Sequence, residues 1–447
     1  MEWMFIKTYI QRLIVSMKTR LSERRQCLRI SKKGSSLILL SMVFVTISSS
    51  IAVSIELTRA MTVKSECEVF GAVWAKAILS EYDRHLFDDY GIQAYHGSEK
   101  EVQKRIDSYI LYSCTGKLDS RIGKSEAFLT GYELSNPENF RKQLKLSIPK
   151  TRTQRENPLE NIGKRIIANE FVINTLPSRG TSTAIDIEAI AERIKSIDSA
   201  DDLLEEASGD IKEWEFITNN LSNCLSYVGN NDSYFQNEWE YLVAGKLDDE
   251  ANYKACRRRI YLIRNALNLV ALYKDTAKVE AITAIAELIT PGAGSLTQVA
   301  IAEAWSAIEA EEDLKTLYSG GKVPLIKTSG EWKTDLDSVL NSSDFTSQLE
   351  EEAKKNLETN KEEISEKISG IGGESLSEGR GASYEDYLKI LLFTMNGNIR
   401  TLRIMDIIQI NMKFKYYDDF NMEEYYIGVN FNIHANGKDY EFEDSYK

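Results

Sequence analysis

The sequence predicts an α+β protein, predominantly α-helical, in which a long N-terminal transmembrane helix continues into an exported, mostly helical domain with a small β-sheet. Three observations predict this class. Residues 37–55 form an uncharged apolar run, the middle of the chain repeats apolar residues with the helical period, and residues 427–434 alternate apolar and polar side chains. Since 43% of the 447 residues are hydrophobic, we expect the exported part to fold around a core.

The run from Leu37 to Ile55 is nineteen residues long. At ~1.5 Å per residue, a helix of this length spans about 28 Å, close to the ~30 Å hydrocarbon core of a bilayer. Residues 1–33 carry nine Lys and Arg against two Glu, whereas residues 34–447 have a net charge of −20. This asymmetry predicts a single-pass protein of the cell membrane with a cytoplasmic N-terminus and an extracytoplasmic C-terminal domain.

A cleaved secretory signal is the alternative to a retained anchor, with Ser50-Ile51-Ala52 as its cleavage site. The length of the leader and the continuation of the apolar run past that site favour the retained anchor. The start of the chain leaves two further interpretations open. Residues 1–16 form an amphipathic basic helix at the inner leaflet, or the true start is Met17.

Beyond the anchor, apolar residues recur at spacings of three and four, and no Gly falls between Gly34 and Gly71. The stripe consists of Ala60, Val63, Cys67, Phe70, Trp74 and Ala77. It predicts that the helix continues to about Leu86 and ends before Tyr90-Gly91, where Gly is a natural terminator. The stripe must then pack on the exported domain or on a partner helix.

Periodicity divides the exported domain further. Helices are predicted over 185–207, 211–228, 237–244, 250–290, 296–318, 384–393 and 399–412, with one or two charged helices in 333–368. Residues 127–134 are predicted to form a strand and residues 369–382 a flexible loop. Asn436-Gly437 predicts a tight turn in a C-terminal hairpin.

These elements give a predicted domain organisation. It comprises a basic cytoplasmic leader (1–33), the transmembrane helix (34–57), its outer extension (58–90) and the extracytoplasmic domain (91–447), the last divided into a helical middle (151–330), a charged helix and flexible loop (333–382), and helices with a β-hairpin (383–447).

Motifs that would carry catalysis are nearly absent from the sequence. The spacing of His85, Asp88 and Asp89 does not put three metal ligands on one helix face. The Gly-rich segment 291–295 lacks a Lys and follows a helix rather than a strand, which argues against phosphate binding. We therefore expect no enzyme activity, no catalytic residue, no metal site and no cofactor. The acidic exported part argues against nucleic acid as a partner.

Charged residues within apolar segments are interpreted as structural. We expect partnered buried ions, rather than acid–base machinery, at Arg264, Asp313, Arg403 and Asp406. The acidic pairs Asp248-Asp249 and Glu311-Glu312 are expected to be solvated. Four cysteines lie beyond the anchor, and three disulfide pairings are open to them, although buried free thiols are favoured. They are Cys67, Cys114, Cys224 and Cys256.

The segment KKGSSLILLSMVFVTISSSIAVSIELTRA, followed by EYDRHLFDDYG, resembles an uncharacterised family of low-GC Gram-positive bacteria that occurs beside tight-adherence (Tad) pilus genes. Its tyrosine-aspartate-arginine…tyrosine-glycine motif falls on Tyr82, Asp83, Arg84, Tyr90 and Gly91. Similar matches follow at Glu240, Tyr241, Gly245, Lys246, Arg264, Asn265, Leu267, Asn268, Trp305, Asp313, Gly320, Gly321, Lys322, Pro324, Trp332, Tyr384, Tyr387, Arg403, Asp406, Gln409 and Asn411.

The N-terminal layout is also similar to TadE/TadG-like minor pilin and pilus-assembly proteins. The resemblance implies a structural or assembly role in a Tad-type pilus or its secretion apparatus, with other proteins of that apparatus as partners and the membrane contacted through residues 37–55. Prepilin-type cleavage would follow Gly34, but Leu39 stands where pilins commonly place Glu, which argues against it. An exported cell-envelope enzyme and a ligand-sensing ectodomain are the alternative functions.

The first testable prediction concerns topology. Single cysteines placed at Ser31 and at Lys354 in an otherwise cysteine-free chain should react differently with a membrane-impermeant maleimide in intact cells. We expect labelling at position 354 and none at position 31, because the positively charged flank stays inside. Labelling at position 31 and none at position 354 would show that the orientation is the opposite of the predicted one.

Overall fold

The computed structural model describes residues 35–113, 122–144, 149–156, 170–181, 185–195, 211–230, 232–368, 371, 381–435 and 437–446. The leader predicted over 1–33, Cys114, most of the loop predicted over 369–382 and the second half of the helix predicted over 185–207 lie outside these ranges. Within them the fold is predominantly helical with small antiparallel sheets, which confirms the predicted class.

The secondary-structure elements are named here in chain order. The helices are α1 (Ser35–Leu79), α2 (Arg84–Tyr90), α3 (Glu99–Ser113), α4 (Pro137–Gln143), α5 (Glu170–Asn174), α6 (Ile187–Lys195), α7 (Ile211–Asn220), α8 (Glu238–Ala244), α9 (Asp249–Lys274), α10 (Thr276–Ile289), α11 (Gly294–Tyr318), α12 (Leu336–Leu340), α13 (Ser343–Thr346), α14 (Glu351–Thr359), α15 (Lys361–Ile368), α16 (Tyr384–Thr394) and α17 (Gly397–Lys415). The strands are β1 (Tyr95–His96), β2 (Ile122–Phe128), β3 (Arg152–Gln154), β4 (Ser226–Val228), β5 (Lys322–Val323), β6 (Ala382–Ser383), β7 (Tyr425–Tyr426), β8 (Gly428–Ala435) and β9 (Lys438–Ser445).

Helix α1 joins the candidate membrane span to the folded domain that follows it without a break. It is long and apolar enough to cross a membrane, and none of residues 36–62 is buried against the rest of the described chain. From Val63 onward one face is covered. The predicted stripe is largely confirmed, since Val63, Cys67 and Trp74 are buried and Phe70 and Ala77 are half-buried, while Ala60 is exposed.

The covered face of α1 packs on the three-stranded antiparallel sheet β2-β8-β9. Gly71 permits close approach, because a Cβ at this position would lie 2.4 Å from the ring of Phe442. Farther along, the Tyr446 hydroxyl donates to the carbonyl of Leu79. The hairpin β8–β9 therefore runs alongside α1, with its turn at Gly437 directed back toward the candidate membrane span.

The predicted helix end near Leu86 is wrong. Helix α1 stops at Leu79, and α2 begins after Asp83, whose carboxylate accepts a hydrogen bond from the Leu86 N–H at 3.0 Å. Asp is a preferred residue at helix N-termini, and no Gly or Pro marks the break, so the apolar period alone did not reveal it. Gly91 ends α2 with φ 70°, as Tyr90-Gly91 predicted for a helix end.

Other boundaries differ for local reasons. The helix predicted over 250–290 is divided at Asp275, which ends α9 and caps α10 by accepting from the Lys278 N–H. The helix predicted over 211–228 ends at Asn220, and β4 follows it and pairs with β3. The strand predicted over 127–134 lies earlier, at Ile122–Phe128, and Gly131 then turns the chain with φ 95°. The charged segment 333–368 contains the four short helices α12 to α15.

The described residues form three hydrophobic clusters. The largest surrounds α8, α16 and α17, and the second joins α1 to β2, β8 and β9. The third lies between α10, α11 and α12 and contains Trp305 and Trp332, whose ring centroids are 5.1 Å apart. Of the predicted core residues, Leu317, Val323 and Leu325 are buried and Ile326 is half-buried.

Replacement of Trp74 tests how firmly α1 is docked. Trp74 is 3% exposed, stacks on Phe70 with centroids 5.8 Å apart, and donates through Nε1 to Ser113 Oγ at 3.3 Å. Trp74→Ala should lower the free energy of unfolding by about 3–5 kcal/mol, because a large buried side chain is lost. The neighbouring Val73→Ala, at a side chain that is 55% exposed, should cost less than about 0.5 kcal/mol.

The measurement is denaturant unfolding of the full chain in lipid nanodiscs, followed by circular dichroism. Equal effects of Trp74→Ala and Val73→Ala would contradict the docking of α1 on the sheet.

Candidate functional site

Helix α8 is buried along its whole length, including the acidic residues Glu238 and Glu240. It begins after Asn237 and ends at Gly245, which adopts φ 63° in the left-handed region. Because an ionised carboxylate is costly to remove from water, each of the two glutamates needs hydrogen-bond donors within the core.

The donors come from segments distant in the sequence. Glu238 accepts from the backbone N–H of Ser222 at 2.7 Å and from Asn411 Nδ2 at 3.1 Å. Glu240 Oε1 accepts from the Tyr384 hydroxyl at 2.7 Å and from the Cys224 N–H at 3.0 Å. Its other oxygen, Oε2, is buried and has no hydrogen-bond partner among the described residues.

Helix α17 supplies a third buried carboxyl and a cation. Asp406 accepts from the Ser178 N–H and from the Tyr241 hydroxyl, both at 2.9 Å. Arg403 Nη1 donates to the carbonyls of residues 242 and 243 at 2.6 and 2.9 Å and so satisfies the end of α8. Two features require glycine at position 245. Its φ lies in the left-handed region, and a Cβ there would lie 2.4 Å from Arg403 Nη2.

Burial shifts the ionisation of these groups toward neutrality. It raises the pKa of Glu238 and of Glu240 to about 7, and that of Asp406 to about 6, against the opposing effect of their hydrogen-bond donors. Burial, together with the adjacent Glu240, also raises the pKa of the Cys224 and Cys256 thiols. The thiols are therefore protonated and poorly nucleophilic.

A second polar network joins α9, α11 and the segment after β5. Arg264 Nη2 and Asp313 Oδ2 are 2.9 Å apart with both side chains fully buried, and Lys327 Nζ contacts Glu309 and lies 2.6 Å from Asp313 Oδ1. Arg264 also donates to the Tyr387 hydroxyl at 3.0 Å. Although burial raises the pKa of Asp313, Arg264 and Lys327 outweigh it and hold that pKa below its ordinary value.

The prediction of partnered buried charges is confirmed for Arg264 and Asp313, which pair with each other, whereas Arg403 and Asp406 are buried and each bind helix α8. Two cations and two anions make the Arg264 network neutral overall. Such a network costs desolvation to form, but the loss of one partner leaves an uncompensated buried charge, so its members hold each other in place.

The other residues that the sequence pointed to are engaged elsewhere. His85 stacks on Tyr416 with centroids 4.0 Å apart, and Asp89 pairs with Lys415 at 3.3 Å. Among the described residues, no group of three or more His, Cys, Asp or Glu is placed to hold a metal ion. Cys67, Cys224 and Cys256 are buried, and Cys224 and Cys256 are free thiols.

One acidic pair was predicted wrongly. Asp248 caps α9 by accepting from the Ala251 N–H at 2.8 Å, but Asp249 is only 1% exposed and accepts from the Gln236 N–H at 3.1 Å. The expected solvated position therefore does not hold for Asp249. In the pair Glu311-Glu312, Glu311 contacts Arg257 at 2.5 Å near the surface.

Sequence reasoning missed Glu238 and Glu240 as a pair of buried carboxyls. The available signal was the segment Asn237–Ala244, in which acidic residues alternate with aromatic ones and no side of the helix is left polar. Carboxyls with pKa values near 7 are typical of acid–base sites, but Glu238, Glu240 and Asp406 are packed inside the largest hydrophobic cluster.

The structure also shows a groove, which lies away from these carboxyls between residues 289–300 and 348–356.

Comparison with known proteins gives one match. The model of a family of unknown function, DUF5702, matches residues 149–437, which is more than half of the chain and includes α8 and both polar networks. No curated protein and no solved structure matches the chain.

The raised pKa values predict a stability that falls as pH rises. The three carboxyls take up protons on folding, so their contribution is fully present below about pH 4, their unfolded pKa, and is lost as pH rises toward 7. Glu240→Gln keeps an acceptor at Oε1 and cannot ionise. Between pH 5 and pH 8 its free energy of unfolding, measured relative to the parent, should therefore rise by about 2 kcal/mol.

Urea unfolding at a series of pH values measures this difference. Glu362→Gln, at an exposed position of α15, is the matched control and should leave the pH profile unchanged. Parallel profiles for the parent and Glu240→Gln would show that Glu240 is ionised in the folded protein throughout this range.

Proposed function

We propose that this chain, which belongs to the DUF5702 family of unknown function, is a membrane-anchored structural or assembly component of a Tad-type pilus or its secretion apparatus. The observation that carries the proposal is the continuity of α1. One helix contains both the candidate membrane span and the face that packs on the C-terminal sheet.

No flexible linker separates the candidate membrane span from the folded domain that packs on α1 from Val63 onward, which is called the head below. From Leu57 to Val63, the first buried residue of α1, the chain remains helical and covers about 9 Å. The head is then held at a fixed height and rotation relative to the bilayer. A subunit that must fit against other membrane-anchored proteins benefits from such a connection, whereas an enzyme or receptor for a soluble ligand works equally well on a flexible tether.

The charge distribution supports the orientation that this role requires. The basic residues precede the span and the net-negative domain follows it, so the head is proposed to be extracytoplasmic. The resemblance of the N-terminal segment to the family found beside Tad genes supports the choice of apparatus. The partners would be other pilus or secretion proteins that contact the head or the span.

An exported enzyme is the second candidate, and one observation favours it. Glu238, Glu240 and Asp406 have pKa values near neutrality, as general acids and bases do. All three are buried within the domain, however, so a substrate would reach them only if the core opened.

A linker insertion distinguishes the two roles. Seven residues inserted after Arg59 add about two helical turns when the insert is Ala-rich and helical, and a flexible joint when it is Gly/Ser-rich. In a deletion strain that produces each variant, we expect the helical insert to preserve surface pili better than the flexible insert at equal protein levels. Electron microscopy and a surface-attachment assay supply the readout.

The parent chain is the positive control and must restore pili to the deletion strain. Normal piliation in the deletion strain itself would contradict the proposed apparatus. Full activity of the flexible variant would contradict the role of the rigid connection and favour a tethered enzyme.

A further inference from the structure

A groove of about 500 Å³ lies on the exported domain, far in sequence from the buried carboxyls. One wall is the turn between α10 and α11 and the first turns of α11, and the other is the segment that leads from α13 into α14. Its volume falls in the range of ordinary ligand sites, roughly 300–1,000 Å³.

The lining is apolar where it is deepest. Ile289 and Ala353 are buried beneath the groove, Leu349 is half-buried, and Leu296 stands at the edge with 78% of its surface exposed. An isolated exposed Leu needs no explanation, but Leu296 adds exposed apolar surface beside the apolar residues of a groove whose lining is otherwise mixed.

Polar groups in the groove are already satisfied within the protein. The hydroxyls of Thr290 and Thr297 are 2.6 Å apart, and Asn356 Nδ2 donates to the carbonyl of Ile289 at 3.0 Å. An occupant therefore meets apolar side chains on the floor of the groove and the acidic side chains of Glu350 and Glu352 at its edge.

The charged residues that line the groove are both acidic. Glu350 and Glu352 are exposed at its edge, and the nearby cation Lys354 pairs with Glu351 at 2.8 Å. At the turn, Glu287 Oε2 accepts from the Gly292 N–H at 3.3 Å and adds a further negative charge. This electrostatic pattern repels phosphate and other anions and complements a cation.

We propose that this groove is a docking site for a basic, apolar peptide segment of a partner protein, which inserts a large apolar side chain beside Leu296 and places flanking Lys or Arg against Glu350 and Glu352. The recognition mode is that of an amphipathic segment in a groove, with apolar contact for affinity and the acidic edge for selection. The turn at Pro291-Gly292, which joins α10 to α11, shapes one wall of the groove.

Photo-crosslinking to the full chain in neutral-lipid nanodiscs tests the proposal. The probe is a six-residue peptide with photo-leucine flanked by lysines, and its counterpart carries glutamates in place of the lysines. We expect the basic probe to crosslink to residues 289–300 or 348–356, identified by mass spectrometry, and the acidic probe to crosslink about fivefold less or weaker still.

Matched variants separate groove binding from general attraction to an acidic protein. Leu296→Ser and the double variant Glu350→Lys/Glu352→Lys change exposed side chains, so both should fold, and each should reduce crosslinking about fivefold. Glu362→Lys/Glu363→Lys makes the same charge change on exposed residues of α15 outside the groove and should leave it unchanged. Equal losses in both charge variants, crosslinks outside the groove, or indifference to Leu296→Ser would each overturn the proposal.

Discussion

The interior of this protein is arranged around α8, a fully buried helix whose two glutamates need hydrogen-bond donors. Helix α8 has no side exposed to water, so its carboxyls, its terminal carbonyls and its tyrosine need partners inside, and among the described residues Glu240 Oε2 has none. Ser222, Cys224, Tyr384, Arg403 and Asp406 provide them. Because these residues lie far apart along the chain, α8 can be completed only when the middle and the C-terminal helices have come together.

The Arg264 network ties together a second set of elements, just as the hydrogen bonds of α8 tie together the middle and C-terminal helices. It links α9 and α11 to the chain after β5, and through Tyr387 it reaches α16, which also contacts α8 through Tyr384. Helices α9 and α11 contribute residues to both the first and the third hydrophobic cluster, so the network lies where these two clusters meet. Polar networks of this kind specify a particular arrangement of helices more strictly than apolar contact does, since every member must be satisfied at once.

Sequence patterns predicted the elements whose period is long and regular. The α1 stripe and the alternating strand 427–433 followed directly from spacing, and Asn436-Gly437 indicated the hairpin. The breaks at Asp83 and Asp275 were missed because a capping carboxylate ends a helix without interrupting the apolar period. The burial of Glu238 and Glu240 was also missed, since the seven-residue helix α8 carries too short a pattern and its partners come from distant segments.

The continuity of α1 gives the proposed membrane anchor a mechanical consequence. The part from Leu57 to Leu79 is about 33 Å long, and the sheet β2-β8-β9 is packed along it. Membrane helices tilt to match their apolar length to the thickness of the bilayer, on average by about 20°. A tilt of that size would move the Leu79 end sideways by about 11 Å. The thickness of the bilayer would then help to set the position of the head.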